Sequence, residues 1–495
     1  MKNVLEFLEN TKLKNKVAII DENRKCTYSE LMDMSMSVGS GLSKIELNNT
    51  PIPIFMEKGI NTLCAFFGSV YAGCSYSLLN PELPEDRLKK IVKVLESKII
   101  VTDKIHFEQA SNIFKEEEIL LIEELINEKI NKEKLTEIRS KMIDTEPLYI
   151  NFTSGSTGIP KGVVVSHQTT INFINEFTNK FEIMENDIIG NQAPWDFDVS
   201  VKDIYSTIAT GATLVIIPKR MFSRPAELLG YLCDNKVTTL IWAVSALCLI
   251  TTFHGLDYKV PTQINKIMFS GEVMPIKHIK QWIEKLPNAK YINLYGPTEI
   301  TCNCTYHIVD KEMKYEKQIP IGKPFNNESV FLLNDGNKKV TNEGEAGEIC
   351  VKGSTLALGY YNNEEQTSKS FVQNPLNNKY SELIYKTGDL GYYDSNGDLN
   401  FVGRKDFQIK HLGHRIELEE IERAMENIKE VDRACCIYNQ ERGKILGFYV
   451  GSIDAKDLKT QLKETLPTYM IPNVLKELDE FPLNKNGKID RKKLQ

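Results

Sequence analysis

With 495 residues, the chain is too long for one small core and predicts two or more domains. Hydrophobic residues make up 41% and charged residues 26%, as is typical of a soluble globular protein. The chain has 61 basic and 67 acidic residues, and its net charge of −6 argues against nucleic acid or an acidic membrane as a partner.

The N-terminus lacks the apolar core of a secretory signal. The most membrane-like run, Val237–Phe253, is uncharged but only seventeen residues long, with five hydroxyl residues. A buried strand running into a helix near Ser245 is the better interpretation, and no membrane insertion is expected. Ten cysteines without zinc-like spacing indicate reduced thiols in a cytoplasmic protein.

The first 145 residues alternate between strand-like and helix-like segments, a pattern that predicts layered α/β architecture. Thr27 or Ser29 is placed to cap a helix. The expected strands are Val17–Ile20, Pro51–Phe55 and Ile99–Thr102, and the expected helices are Gly59–Gly73, with small residues on one side, and the charged stretch Glu116–Lys141.

The stretch Asn151–His167, which reads NFTSGSTGIPKGVVVSH, places a cluster of Ser, Thr and Gly between two strand-like segments. Backbone N–H groups and hydroxyls of such a loop can wrap an anion, and Lys161 adds a positive charge. The Walker spacing is absent, because Pro160 stands where that motif needs its second glycine. A flexible surface turn is the alternative.

This loop resembles the signature of the adenylate-forming superfamily, whose members activate a carboxylate with ATP and pass the acyl group to a thiol. The resemblance implies a large α/β domain of layered subdomains and a small mobile α+β domain. It also implies ATP and Mg²⁺ as cofactors. The residues it assigns to the phosphates are Thr153, Ser154, Gly155, Ser156, Thr157, Gly158 and Lys161.

Asp196 and Asp198 flank Phe197, and their side chains point to the same side of the chain if this stretch is extended. A helix-capping pair is the alternative. In amino-acid-activating members of the superfamily, the aspartate at the place of Asp198 binds the α-ammonium group of the substrate. By the same resemblance the substrate pocket is lined by Asp198, Val199, Lys202, Leu247, Met268, Ser270, Leu294, Cys302 and Asn303.

Three later motifs resemble the superfamily in the expected order: YINLYGPTE at 291–299, YKTGDL at 385–390 and GRKDFQIK at 403–410. On its own, the first would read as a turn before a helix. The resemblance places Tyr295 and Gly296 at the adenine, Thr298 at the phosphates and Mg²⁺ on Glu299. It places Asp389 at the ribose, Arg404 at the nucleotide and a hinge at Asp406.

The predicted domains are residues 1–404 and 405–495. Asn486-Gly487 predicts a turn that holds Lys488 at a loop tip, although a frayed tail is the alternative. The resemblance makes Lys488 the mobile catalytic lysine, joined by Thr298 and Glu299. After adenylate formation, the small domain is expected to rotate and present Lys410–Arg415 to the thiol.

The expected reaction is activation of an amino acid to aminoacyl-AMP and transfer to the phosphopantetheine thiol of a separate carrier protein. The resemblance is strongest to ligases that charge carriers with D-alanine and to freestanding adenylation domains of nonribosomal peptide synthetases. Ser270 and Leu294 depart from the D-alanine pattern, so another small or polar amino acid is also considered. His414 departs from the aromatic residue that the family usually has before Arg415. The alternatives are an acyl- or aryl-CoA synthetase and a nucleotide-binding regulatory protein with a dead site.

Overall fold

The computed structural model describes residues 1–22, 24–45, 47, 50–155, 158–312, 315, 318–440, 442–483 and 489–494. Within these ranges the strands are β1 (Val17–Ile20), β2 (Lys25–Thr27), β3 (Ile52–Phe55), β4 (Tyr76–Leu79), β5 (Ile99–Thr102), β6 (Glu118–Leu121), β7 (Pro147–Thr153), β8 (Lys161–Ser166), β9 (Ile188–Asn191), β10 (Thr213–Ile216), β11 (Thr239–Ala243), β12 (Lys266–Ser270), β13 (Lys290–Tyr295), β14 (Thr305–Ile308), β15 (Lys323–Pro324), β16 (Glu328–Leu333), β17 (Lys339–Val340), β18 (Gly347–Gly353), β19 (Gly359–Tyr360), β20 (Phe371–Gln373), β21 (Leu383–Tyr393), β22 (Leu399–Arg404), β23 (Gln408–His411), β24 (His414–Glu417), β25 (Val431–Asn439), β26 (Lys444–Gly451) and β27 (Val474–Glu477).

The helices of the same ranges are α1 (Leu5–Glu9), α2 (Tyr28–Leu42), α3 (Ile60–Tyr71), α4 (Glu85–Leu95), α5 (Phe107–Ile113), α6 (Ile122–Leu125), α7 (Lys132–Lys141), α8 (His167–Phe181), α9 (Val199–Thr210), α10 (Pro225–Asp234), α11 (Val244–Thr252), α12 (Gly255–Tyr258), α13 (Ile276–Lys285), α14 (Glu364–Ser370), α15 (Leu418–Glu426) and α16 (Ala455–Thr465). None of the helices in these described ranges is both long and apolar enough to cross a bilayer. The uncharged run Val237–Phe253 contains the strand β11 followed by α11, as predicted.

Two largely parallel sheets form the body of the large domain. One has the order β19-β8-β7-β4-β3-β5-β6, and the other has the order β15-β14-β13-β12-β11-β9-β10-β1-β2. The largest buried apolar cluster joins residues of both sheets to α2, α3, α8 and α9, which lie between them. The structure thus confirms the layered α/β class, with helices covering sheet faces.

Close packing of α2 on α3 explains the small residues expected in the segment Gly59–Gly73. A Cβ added to Gly68 would lie 2.3 Å from a methyl carbon of Val38, and one added to Gly39 would lie 2.4 Å from the Cβ of Tyr71. At its other end, α2 begins at a capping box in which Thr27 and Glu30 exchange hydrogen bonds. Thr27 is therefore the cap, and Ser29 lies inside the helix.

The prediction of one charged helix over Glu116–Lys141 is wrong. Residues 118–121 form β6, which pairs in parallel with β5 (Ile100 opposite Ile119), and α6 and α7 follow as separate helices. The aliphatic residues of Glu118–Leu121 favour an edge strand, and long-range pairing of this kind overrides local helix propensity.

A third, antiparallel sheet has the order β17-β16-β18-β21-β20, with β22 paired to β21, and ends the large domain. The small α+β domain follows with the hairpin β23–β24, the sheet β25-β26-β27 and two helices, α15 and α16. Its buried cluster includes Ile416, Ile421, Tyr449 and Leu458 and is separate from the large-domain clusters. The boundary between residues 404 and 405 stays a prediction.

Candidate functional site

The Ser/Thr/Gly loop connects the antiparallel strands β7 and β8, with Thr153 opposite Lys161. A Cβ on Gly155 would lie 2.0 Å from the carbonyl oxygen of Ile159, so only glycine permits this close approach of the backbone. Gly158 has φ of +78°, and its N–H donates to the carbonyl of Gly155 at 2.8 Å. Ser156 and Thr157 lie outside the described residues.

In this structure the loop contacts the small domain. The Ser154 hydroxyl donates to the carbonyl oxygen of Arg415 at 2.9 Å and accepts from the N–H of Glu417 at 3.2 Å. The N–H of Gly155 donates to a carboxylate oxygen of Glu420 at 3.2 Å. Burial lowers the pKa of Lys161, which begins β8. The Glu420 carboxylate of the small domain thus accepts a hydrogen bond from the Gly155 N–H, a backbone group that was predicted to bind phosphate.

The residues predicted to bind the nucleoside come together at one place. The Tyr295 hydroxyl donates to Asp389 at 2.6 Å, and Arg404 donates to the other oxygen of Asp389 at 2.5 Å. Asp406 holds the guanidinium of Arg404 through a second pair of hydrogen bonds at 2.6 and 2.7 Å. Gly296 packs against the backbone of Asn303, 2.4 Å from where its Cβ would lie. Residues 94 positions apart in the chain therefore share one hydrogen bond.

Glu299 is almost fully buried, at 1% exposure, and both of its oxygens accept from Arg415 at 2.7 and 2.9 Å. The Tyr360 hydroxyl also donates to it at 2.7 Å. Burial raises the pKa of Glu299, but Arg415 and the Tyr360 hydroxyl outweigh that effect and hold the pKa below its ordinary value. The carboxylate is therefore kept ionised inside the protein.

An ionised, buried carboxylate is the ligand chemistry that Mg²⁺ prefers, so Glu299 fits the predicted metal role. In the described part of the chain, no group of three or more His, Cys, Asp or Glu side chains could hold a metal ion. Protein-bound Mg²⁺ commonly takes one or two carboxylates and completes its shell with phosphate oxygens and water. Arg415 would have to withdraw from Glu299 for a cation to bind there.

Of the predicted substrate residues, Asp198 lies near Glu299. Asp198 directly precedes α9, and its stretch is a turn rather than an extended segment. It makes no side-chain capping hydrogen bond, so the helix-capping interpretation is not supported. The Thr298 hydroxyl bonds to the Asp198 carboxylate, and Cys302 Sγ donates to the Asp198 carbonyl at 3.0 Å. Burial raises the pKa of Asp198, while Lys202 and the Thr298 hydroxyl oppose the shift.

Lys202 lies one helical turn after Asp198 and donates to Asn303 at 2.7 Å and Ser270 at 3.4 Å. The pocket wall at Cys302 is strained, because Thr301 and Cys302 are consecutive non-glycine residues with φ of +54° and +78°. Met268, Leu294 and Cys302 belong to the large apolar cluster between the sheets, whereas Leu247 packs in a second cluster with Trp242 and Trp282. Val199, at the start of α9, is half-buried.

The hairpin β23–β24 reaches from the small domain into the site. Lys410 Nζ lies 5.2 Å from the centroid of the Tyr295 ring, and the N–H of Gly413 donates to Glu272 at 3.1 Å. His414 stacks on Tyr469 at 3.6 Å and meets Phe197 edge-on at 4.6 Å. The segment Lys410–Arg415, which was predicted to serve the thiol, thus lies against Glu299 and the nucleoside residues. Lys488 lies outside the described residues.

Sequence reasoning missed three side chains of this site: Tyr360, Arg87 and Glu420. Arg87 and Glu420 form an ion pair at 2.6 Å with both side chains buried. Neither lies in a motif, and they are 333 residues apart, so no local pattern could pair them. Tyr360 lies in the short strand β19, and nothing in its sequence spacing indicated a bond to Glu299.

A protein-family model described as "AMP-binding enzyme" matches residues 8–361. The chain belongs to the AMP-binding enzyme family. The enzyme is 34% identical over 494 residues to zwittermicin A synthase ZmaJ of Bacillus cereus, covering 97% of this chain and 92% of that protein. It is 30% identical to tyrocidine synthase 1 of Brevibacillus parabrevis over 97% of this chain, but it spans only 43% of that protein's length.

Solved structures share the fold over nearly the whole AMP-binding enzyme. The Vibrio cholerae adenylation domain AlmE, in complex with glycyl-adenosine-5'-phosphate, has a TM-score of 0.85 at 22% identity, covering 99% of this chain and 96% of that chain. The o-succinylbenzoate CoA synthetase of Bacillus subtilis also has a TM-score of 0.85, at 21% identity, covering 100% and 98%. At these identities the likeness establishes the fold, which includes the large and small domains.

Proposed function

We propose that this AMP-binding enzyme uses ATP and Mg²⁺ to convert an α-amino acid to aminoacyl-AMP, and then transfers the aminoacyl group to the phosphopantetheine thiol of a separate carrier protein. The observation that carries the proposal is the place of Asp198. Its half-buried carboxylate bonds to Thr298, next to Glu299 and the cluster of Tyr295, Asp389 and Arg404. An amine-binding group beside a nucleotide site is what amino-acid activation requires.

In the first half-reaction, Asp389 accepts hydrogen bonds from the ribose hydroxyls and Tyr295 lies against the adenine. The loop from Thr153 to Lys161 binds the leaving phosphates through backbone N–H groups and hydroxyls. A carboxylate oxygen of the amino acid forms a bond to the α-phosphorus, and the bond to the bridging oxygen breaks to release pyrophosphate. Bound Mg²⁺ supplies charge neutralisation at the phosphate oxygens, held by Glu299. Lys488 adds a cation at the reacting carboxylate.

Recognition of the amino group falls to Asp198. An ammonium donating to an ionised carboxylate in a water-poor pocket forms a charge-assisted hydrogen bond. Burial raises the pKa of Asp198, and Lys202 and the Thr298 hydroxyl oppose that shift by favouring the ionised carboxylate. D-alanine or another small or polar amino acid is the proposed substrate.

In the second half-reaction the thiol needs a pocket that the hairpin β23–β24 completes. Lys410 is half-buried, with its Nζ 5.2 Å from the centroid of the Tyr295 ring, and supplies positive charge near the adenylate, although desolvation lowers its pKa. Arg415 forms an ion pair with Glu299, the proposed ligand of Mg²⁺. We therefore assign this domain arrangement to the stage after pyrophosphate has left. The proposed carrier partner and the cytoplasmic location rest on the resemblance to peptide-synthetase adenylation domains.

An acyl- or aryl-CoA synthetase is the second candidate. The o-succinylbenzoate CoA synthetase matches this fold as well as the glycyl-adenylate complex does, with the same TM-score of 0.85. The half-buried carboxylate of Asp198 disfavours it, since an acid without an amine would offer that carboxylate no cationic partner.

The test is ATP–pyrophosphate exchange with a panel of amino acids and of matched carboxylic acids that lack the amine. Exchange is expected with amino acids only, and Asp198→Ala should lower kcat/KM for the amino acid by about 100-fold because a charge-assisted bond is lost. Asp196→Asn, two residues away, is the matched control and should retain exchange. Faster exchange with the amine-free acids would replace the proposal with the CoA synthetase.

A further inference from the structure

Lys202 is the most unusual charged group of the substrate pocket. It follows Asp198 by four residues, so the two side chains project from the same face of α9, about 6 Å apart along the helix axis. Asp198 is half-buried, whereas Lys202 is 0% exposed. The side chain of a substrate whose ammonium binds Asp198 would need to extend by about one helical turn to reach Lys202.

The partners of Lys202 are neutral. Its ammonium donates to the amide oxygen of Asn303 at 2.7 Å and, more weakly, to the hydroxyl of Ser270 at 3.4 Å. Across the residues that the structure describes, no carboxylate lies within ion-pair distance of this nitrogen. An ammonium has three donors, and a charge taken out of water without a counter-charge is destabilising. Burial accordingly lowers the pKa of Lys202, against the opposing influence of Cys302 and Asp198.

The nearby carboxylates do not serve as a fixed counter-charge. Asp198 has the ammonium of the substrate as its partner. Asp203 accepts from Asn191 at 2.5 Å and lies near the buried Lys58. Burial raises the pKa of Asp203 to about 7, so that carboxyl is partly protonated near neutral pH. The positive charge of Lys202 therefore has only neutral hydrogen-bond partners among the described residues, and a substrate carboxylate could balance it.

We propose that Lys202 binds the side-chain carboxylate of an acidic amino acid, so that the substrate is an aspartate- or glutamate-like α-amino dicarboxylic acid. The inference rests on the proposed amino-acid activation and names its substrate class. One zwitterion with an added carboxylate matches the two pocket charges: its ammonium pairs with Asp198 and its side-chain carboxylate with Lys202. Ser270 and Asn303 orient the lysine. The methyl group of alanine would leave the cation facing a neutral group.

The experiment measures ATP–pyrophosphate exchange for acid and amide pairs, aspartate with asparagine and glutamate with glutamine, in both enantiomers, together with alanine. The wild-type enzyme should favour one acid over its amide by about 10-fold or more in kcat/KM, since the amide has the same shape without the charge. Lys202→Met should lose about 100-fold on that acid and change the amide by only a few fold. Lys280→Met, an exposed lysine on α13, is the control.

The wild-type ratio of acid to amide needs no variant, so it decides the inference even if Lys202→Met folds poorly. Exchange with neutral amino acids in preference to both acids would overturn the role of Lys202 and leave amino-acid activation standing. An acid preference that survives Lys202→Met would also overturn it. Exchange with none of the amino acids would contradict the proposed function itself, and with it this inference.

Discussion

Single residues set the geometry of the phosphate loop. Gly155 has no room for a side chain, because a Cβ would lie 2.0 Å from the Ile159 carbonyl oxygen. Its N–H is the group that donates to Glu420 in this structure and that is proposed to meet a phosphate when ATP binds. The backbone here is therefore a binding group whose position depends on one missing side chain.

Gly155→Ala should displace the loop and lower kcat/KM for ATP by about 100-fold, since misplacement of a binding group by about 1 Å can cost that much. The parallel sheets should stay folded, because the strain is confined to a turn. Exchange kinetics at varied ATP concentration measure the effect. Gly59→Ala is the control, because nothing lies within 4 Å of its Cβ position, and it should behave as wild type. An unaltered KM and kcat in Gly155→Ala would remove the loop from ATP binding.

At this scale, local sequence indicated an anion-binding loop at residues 151–167, because glycines, hydroxyl residues and a lysine are neighbours in the chain. The predicted roles of Asp198, Glu299, Asp389 and Arg404 came from the resemblance to the superfamily. The bond from Tyr360 to Glu299 spans 61 residues, and no local pattern encodes it. The resemblance named residues for the pocket, but it could not show that Lys202 is buried and that none of the described carboxylates forms an ion pair with it.

Among the elements, the hairpin β23–β24 joins the two domains. His414 lies between Tyr469 of the small domain and Phe197 of the large domain. Burial lowers the pKa of His414 to about 3, so the imidazole is neutral in this arrangement. Because its pKa is about 6.5 in the unfolded chain, its stabilising contribution is complete above that pH and is lost as the pH falls toward 3.

His414→Phe should keep the stacking and remove this pH dependence. Between pH 7.5 and 5.5 the wild type should lose about 1.4 kcal/mol more of its free energy of unfolding than the variant. The reason is that the His414 imidazole takes up a proton in the unfolded chain over this range but stays neutral in the folded protein. Thermal unfolding midpoints across that range measure the difference. His167, whose pKa burial also lowers to about 3, is present in both proteins, so the comparison isolates His414. Parallel pH profiles would contradict the prediction.

Most elements were predicted where local periodicity agreed with tertiary pairing, as in β1, β5, α3 and the run from β11 into α11. The segment Glu116–Lys141 failed because its charges suggested a solvated helix, whereas Ile119 pairs with Ile100 of β5. An edge strand draws its stability from a neighbour elsewhere in the chain, so composition alone could not identify it.

For the whole molecule, the small domain is held on the phosphate loop by Glu420. Its carboxylate pairs with the buried Arg87 at 2.6 Å and accepts from the Gly155 N–H at 3.2 Å. A phosphate bound at Gly155 and the Glu420 carboxylate would compete for the same donor. This arrangement therefore suits the stage after pyrophosphate release, in agreement with Arg415 occupying Glu299.

Glu420→Gln should weaken this arrangement, because it leaves the Arg87 guanidinium buried without a counter-charge. Transfer from a supplied aminoacyl-adenylate to the thiol should slow by about 10- to 100-fold, and pyrophosphate exchange should change little. Glu419→Gln, on the same helix, is the control and should affect neither. Equal slowing of both half-reactions would show that Glu420 acts on the site rather than on the domain arrangement.

The two-domain organisation was predictable because the motifs occur in a fixed order along the chain. The placement of one domain on the other was not, since it depends on Arg87–Glu420 and Arg415–Glu299, pairs 333 and 116 residues apart. Such contacts depend on the assembled fold.

The most direct measurement follows the two half-reactions separately in Lys488→Ala. If Lys488 and the hairpin β23–β24 occupy the ATP site in turn, adenylate formation in Lys488→Ala should fall by about 100-fold or more, because the cation at the reacting carboxylate is lost. Transfer from supplied adenylate should stay near the wild-type rate, and Lys492→Ala, an exposed lysine of the same tail, should leave both unchanged. Equal loss of both half-reactions in Lys488→Ala, or loss of neither, would contradict domain alternation.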